Sequence, residues 1–173
     1  SGLREEILVR SSIAEKGQTL VELMIAMSVM SIGFLGVFAV LSQSLGLNRV
    51  VANQYIASNL AAEGIEVIKN IADSNTLQPG GVWNAGLGSG DFGVEYKSIL
   101  LNGDWANQNL KFDSNTGLYG YDAGTPTNFR RTVSITNIGP DEISVSSTVR
   151  WRDRGGTEFE IVLEDRFFNW RSP

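Results

Sequence analysis

The chain has 173 residues and a formal net charge of −5 at neutral pH, which suits one domain with an attached segment and disfavours nucleic acid as the main partner. It contains neither cysteine nor histidine, so disulfide staples, thiolate nucleophiles, imidazole bases and imidazole metal ligands are excluded. Whatever folds here is held by packing.

The first informative element is apolar. Residues 23–47 carry no charge, and residues 23–41 are interrupted only by Ser28 and Ser31 among polar types. At about 1.5 Å per residue, that inner stretch spans roughly 28 Å, close to the hydrocarbon thickness of a bilayer. Arg10 and Lys16 precede it and Arg49 follows it. The positive-inside bias then places residues 1–17 in the cytoplasm and the bulk of the chain outside. A cleavable secretory signal has a shorter apolar core with small residues at its cut; here the run is longer and ends in Ala39-Val40-Leu41. A buried core helix seldom stays uncharged over this length. The run reads as a membrane span.

Directly before it stands Lys16-Gly17-Gln18-Thr19-Leu20-Val21-Glu22. A carboxylate one turn into an apolar helix costs about 2–3 kcal/mol when deeply placed, unless it is paired or reaches the interface. Glu22 therefore asks for a positive partner. A charged leader ending in Gly, followed by Thr, two apolar residues, Glu and an apolar helix, resembles the prepilin N-terminus of type IV pilins and type II secretion pseudopilins. Gln18 stands where that family most often has Phe.

The resemblance implies cleavage after Gly17 by a membrane aspartic peptidase and methylation of the new amine on Gln18. It implies assembly roles for Thr19 and Glu22, with Glu22 meeting a positive amine of its own or a neighbouring subunit. The implied partners are other pilin subunits, the prepilin peptidase, the membrane and assembly-platform proteins. Gly33, Gly36 and Gly46 allow close helix approach in a bilayer, each costing the helix about 1 kcal/mol relative to Ala. Related pilins often loosen here in the filament, which makes Gly33 and Gly36 candidate points of helix flexibility.

From residue 48 to about 73 the pattern turns amphipathic. Ala52, Ile56, Leu60, Val67 and Ile71 recur at helical spacing, widened by Ile65 and Ile68, while Ser58, Glu66, Lys69 and Asn70 mostly face away. Asp73-Ser74-Asn75, then Pro79-Gly80-Gly81, predict its end. One helix over 18–73 spans roughly 84 Å, more than a single domain covers. Glu63 and Glu66 are surface neighbours, but no nucleophile, base or cofactor motif accompanies them. They read as a solvated or intersubunit face, and no catalytic residue, metal or cofactor is assigned.

Residues 74–128 are rich in Gly, Asn, Asp and Ser, with short strands expected over 92–101, 110–112 and 118–121. Asp113-Ser114-Asn115-Thr116-Gly117 superficially matches a calcium loop, but only Asp122 adds an acid nearby, and turn chemistry explains it better. Beyond residue 128, three half-buried strands are legible from alternation: Val133 and Ile135; Ile143, Val145, Val149 and Trp151; and Phe159, Ile161 and Leu163. Residues 137–141 and Arg154-Gly155-Gly156 supply the turns. A three-residue loop at 154–156 pairs Trp151 with Phe159 and Val149 with Ile161, and sets Arg152 opposite Glu158 and Arg150 opposite Glu160. Arg130, Arg131, Trp151, Arg152 and Arg154 could form a basic, aromatic DNA-binding strip. Against it, Trp151 points inward and the arginines have carboxylate partners.

The expected fold is α+β and pilin-like: a leader over 1–17, a membrane or filament-core helix over 18–47, an amphipathic continuation over 48–73, and a β-rich head over 74–173. The expected function is structural rather than enzymatic: a subunit, of the minor kind, of a type IV pilus-like filament. It is first held by one span in the inner membrane with its head outside, then extracted into an extracellular fibre. The alternatives are a pseudopilin of a secretion or DNA-uptake system and a signal-anchored ligand-binding surface protein.

Overall fold

A computed structural model describes residues 19–153 and 155–170; for residues 2–18 it gives the helical backbone alone. Helix α1 runs Gly2–Leu77. Among the described residues six strands follow: β1 Gly90–Phe92, β2 Asn109–Asp113, β3 Leu118–Gly120, β4 Thr125–Gly139, β5 Glu142–Arg152 and β6 Glu158–Phe168. A short 3-10 helix, Gly103–Asn107, precedes β2, its first turn capped by the Asn102 side chain. The chain divides into two compact units, Ser1–Arg49 and Val50–Pro173. The first is helical; the second holds the rest of α1 and the sheet. This is the α+β, pilin-like architecture expected from the sequence.

The sheet is antiparallel, ordered β3-β2-β4-β5-β6, with β1 beside the far part of β4. The β5–β6 hairpin has the expected register: Trp151 faces Phe159, Val149 faces Ile161, Arg150 faces Glu160 and Arg152 faces Glu158. Asp153 and Thr157 close the loop with a 3.0 Å backbone bond, and Gly156 takes the left-handed conformation (φ 80°) that such a loop requires. The outer-face pairs form, Arg150 to Glu160 at 2.5 Å and Arg152 to Glu158 at 3.3 Å. Being exposed, each contributes only a few tenths of a kcal/mol or so. The β4–β5 turn is tighter than the expected 137–141: β4 runs to Gly139, leaving only Pro140 and Asp141 between the strands.

Several expectations need correction. Helix α1 passes through Asp73-Ser74-Asn75 to Leu77, with the Thr76 hydroxyl donating to the Ala72 carbonyl (2.8 Å), and the chain turns only at Gln78–Gly81. The strand expected over 92–101 ends at Phe92. Beyond it an isolated bridge from Gly93 to Asn102 closes a loop that leaves Ile99 and Leu100 exposed. Of the expected stripe, Leu60, Val67 and Ile68 are buried against the sheet and Ile56, Ile65 and Ile71 pack at its margins, but Ala52 is exposed, and the small residues Ala57, Ala61, Gly64 and Ala72 complete the buried face. Small residues win because they let the helix lie close on the sheet. The third late strand is less buried than its alternation suggests: Leu163 is 38% exposed, since β6 is an edge strand.

The helix buries two apolar clusters against the sheet. Val67, Ile68 and Ala72 meet Trp83, Leu87 and Val94 with the β4–β5 residues Val133, Ile135, Ile143 and Val145. Ala57, Leu60 and Ala61 meet Leu110, Tyr121, Phe129, Val149 and Trp151. Ring contacts continue the second cluster across the strands, from Phe112 and Tyr119 through Phe129 to Trp151 and Phe159. Each cluster stabilises the head by burying apolar area at about 25 cal/mol per Å². Among the buried residues, Glu95, Arg131 and Ser147 are polar or charged.

Candidate functional site

Two places in the chain hold chemistry that packing alone does not explain. The first is the N-terminal part of α1. Glu22 is the sole charged residue from Thr19 to Leu47, and both Thr19 and Glu22 are exposed on the helix. Gly17 and Gln18, the expected cleavage and methylation positions, lie outside the described residues. The stretch is long and apolar enough to cross a membrane by length and composition, and none of its most apolar window is buried. Met24, Ile25, Phe34, Leu35 and Phe38 are all exposed. Ser28 and Ser31 donate their hydroxyls to the carbonyls of Met24 and Met27, both at 2.7 Å. That internal satisfaction is what a polar side chain needs in a medium without water.

Gly33 and Gly36 lie within the unbroken helix, and a Cβ at either would meet nothing within 4 Å. Gly33→Ala and Gly36→Ala should therefore each stabilise the isolated helix by about 1 kcal/mol. Amide hydrogen exchange across residues 33–37 in micelles should slow in both variants; unchanged exchange would show that these glycines do not limit local helix stability.

The second place is the waist between the two apolar clusters. Arg131 lies on the inner face of β4 with no exposed surface. Its Nη1 donates to the Leu60 carbonyl (2.8 Å) and to Glu63 Oε1 (3.1 Å), and its Nη2 donates to the Val94 carbonyl. One guanidinium thus ties the helix, β4 and the β1 loop together, the fork geometry that suits Arg to buried sites. The Arg131 carbonyl accepts a bond from the Tyr121 hydroxyl (3.4 Å), and burial pushes the pKa of that phenol up while the Arg131 charge pulls it down. Arg131 is accordingly no part of a surface DNA strip, and Glu63 is its partner rather than a purely solvated acid; Glu66 is exposed as expected. Arg152 pairs with Glu158, Trp151 is buried, and Arg154 lies outside the described residues.

Beside Arg131, Gly64 faces Ser147 and Val133. The Ser147 hydroxyl and Arg131 Nε are buried side-chain atoms without a hydrogen-bond partner. Neither Gly64 nor Ser147 was singled out by the sequence reading. The parity of β5 marks Ser147 as inward, between Val145 and Val149, just as Val133 marks Arg131.

The Asp113 loop is a turn. Asp113 accepts bonds from the Asn115 amide (2.9 Å) and the Thr116 hydroxyl (3.1 Å), and the Asn115 amide first among these holds its carboxyl below the usual range. Glu95 is buried, accepting the Tyr121 amide (3.2 Å) and facing Lys97 at 3.2 Å; Asp122 lies 3.0 Å from the same ammonium. The hydrogen bond to Asp122, then that to Glu95, raises the Lys97 pKa. Among the described residues no three acids gather in a way that could hold a metal ion.

An exposed apolar helix carrying one acid near its start, joined in sequence to an antiparallel head, is consistent with an α+β protein anchored in a membrane. Residues 14–38 match the prokaryotic N-terminal methylation motif, the prepilin-type signature of type IV pilins and pseudopilins. That motif implies processing by a prepilin peptidase and assembly with other pilins. No curated protein and no solved structure matches the chain.

Proposed function

We propose that this chain is a structural subunit, of the minor kind, of a type IV pilus-like filament. In this reading the peptidase removes residues 1–17 by cutting after Gly17, and the amine of Gln18 is methylated. Residues 18–47 then hold the protein in the inner membrane with its head outside, until it is drawn into an extracellular fibre. Residues 48–73 carry the helix onto the head formed by residues 74–173. Gly33 and Gly36 are where the helix loosens on assembly. Cohesion comes from apolar side chains such as Phe34, Leu35 and Phe38, which are exposed among the described residues. Register comes from Glu22, whose burial among sister helices is costly unless it meets an ammonium; the freed amine of Gln18, with Thr19 beside it, is the group that answers it. The reading gives the chain no catalytic role and needs no cofactor.

The observation that carries it is the coincidence of the methylation motif with a helical stretch whose most apolar window is uncovered. Co-expression with a prepilin peptidase should yield a product that begins at Gln18 and is one methyl group heavier by mass spectrometry. Glu22→Ala should still be cleaved, yet its incorporation into filaments should fall roughly tenfold or more, a deficit of at least about 1.4 kcal/mol. Normal incorporation of Glu22→Ala would remove the assembly role. Protein from intact cells that begins upstream of residue 18, with no filament present, would remove the reading as a whole.

A further inference from the structure

We infer that strand β6 is a pairing edge for a second copy of this chain, the two β6 strands running antiparallel about a two-fold axis at Leu163. Among the described residues β6 pairs with β5 alone, in unbroken register from Glu158 to Phe168. No strand lies along its other side, whose backbone N–H and C=O groups are a template for pairing. Natural edge strands are commonly very short, bulged or interrupted by Pro. β6 has eleven residues, no bulge against β5 and no Pro, and Val162, Leu163 and Phe168 are exposed along it.

The order of charges selects the occupant. The odd-numbered residues of β6 lie opposite Trp151, Val149, Ser147, Val145 and Ile143 on the inner face, and the even-numbered ones lie on the outer face. A two-fold axis normal to the sheet pairs inner residues with inner ones, so the partner strand slides only in steps of two residues. With Leu163 opposite its own copy, Glu160 faces Arg166 and Phe159 faces Phe167, each twice. Glu158, Glu164 and Asp165 then face Phe168, Val162 and Ile161. A slide of two residues sets Glu160 against Glu164, or Glu164 against itself. A slide of four sets Glu158 against Glu164, or Asp165 against itself. Like charges directly opposite destabilise a strand pair, and the Leu163-centred register has none.

That register also extends ion pairs already formed. Arg150 bonds Glu160 at 2.5 Å and Arg166 bonds Glu142 at 2.7 Å. Placing Glu160 beside Arg166 of the second copy joins them into a row of alternating charge, Arg150, Glu160, Arg166, Glu142, made twice across the seam. Asp165 is an inward charge of the kind that guards edges. Here it meets Ile161 rather than an acid, and Leu163 and Asp165 are both exposed. A strand added at the side leaves that face open to water.

The axis reverses α1 between the copies over residues 57–72, which lie on the sheet. Chains inserted in one membrane share one direction, so the pair joins heads of separate filaments and goes beyond the assembly proposed above.

The full chain in micelles tests it, helped by the lack of native cysteine. Leu163→Cys sets two thiols opposite each other with Cβ atoms about 4.5–5.5 Å apart, close enough for a disulfide after slight adjustment. Oxidation by copper phenanthroline should give the covalent dimer roughly tenfold faster than with Ile99→Cys, an 81% exposed site that reports random encounter. On the Leu163→Cys background, Arg166→Glu and Glu160→Arg should each slow it about tenfold by opposing like charges. Combining them should restore the rate, because the swap rebuilds the pair between copies while the bonds to Glu142 and Arg150 within each chain stay broken. Near-UV circular dichroism matching the parent shows that each variant is folded. Crosslinking of Leu163→Cys no faster than that of Ile99→Cys would overturn the inference. So would single reversals without effect, or a swap as slow as either reversal. Filament formation takes no part in this readout, so its failure and that of the assembly reading are told apart.

Discussion

Gly64→Ala destabilises the head by about 1–3 kcal/mol, although the same change in an exposed helix would stabilise it by about 1 kcal/mol. The cause is where the helix crosses the sheet. A Cβ on Gly64 would run into the Ser147 hydroxyl and would also press on Val133 Cγ2 at 3.1 Å and Arg131 Cδ at 3.2 Å. All three neighbours are fully buried, so they yield only by straining other contacts. Gly64→Val, adding two methyl groups at the same point, should cost more. Ser147→Ala alone should be neutral or slightly stabilising, because the hydroxyl it removes is buried without a partner. In the Ser147→Ala background the cost of Gly64→Ala should shrink, a coupling expected between residues in contact. Thermal melting of the full chain in micelles, followed by near-UV circular dichroism, reads this directly. All four tryptophans, Trp83, Trp105, Trp151 and Trp170, belong to the second unit. Additive effects of Gly64→Ala and Ser147→Ala would mean that the two do not share the crossing point.

The same crossing shows what the sequence could and could not tell. Period-two alternation over 143–151 and 158–164 gives the β5–β6 hairpin with its register, because a one-residue slip would turn Trp151 and Phe159 outward. The apolar run from residue 23 and the acid before it are equally plain, since membrane segments are read from local composition. The amphipathic helix was harder. Its apolar residues extend around too much of the circumference to fix which stripe faces inward, and large Ile and Leu draw the eye from Ala57, Ala61 and Gly64. Close approach selects small residues, and that selection is made by the opposing sheet rather than by the helix. Arg131 shows a related failure. Strand parity places it with Val133 and Ile135 on the inner face, while its charge argues for the surface; the charge is accommodated only because a helix carbonyl, a loop carbonyl and Glu63 converge on it. Those acceptors lie far along the chain, so no local pattern announces them.

Arg131→Ala should cost the head about 3–5 kcal/mol, the range for removing one member of a buried ionic pair. Two contributions are separable. Truncation opens a cavity beside Gly64 and Val133, and it strips the Val94 carbonyl and Glu63 of their donors. Arg131→Met keeps most of the stem and removes only the donors. Its cost should be lower, about 1–3 kcal/mol, for reasons visible in the geometry. Glu63 is 31% exposed in its side chain and can turn to water, whereas the guanidinium already carries an unsatisfied Nε that Met does not have. Leu60 remains inside α1, where its carbonyl has the helix itself as a second partner. The Val94 carbonyl is the group left poorest, so the β1 loop should loosen first, with faster amide exchange around residues 93–95 than in the β4–β5 ladder. Equal destabilisation by Ala and Met would instead assign the whole effect to the lost hydrogen bonds. Unchanged exchange near Val94 would show that the arginine does not anchor that loop. Either way, Glu63→Gln should be mild, because an amide oxygen still accepts from Arg131 and the acid's charge is already shared with solvent.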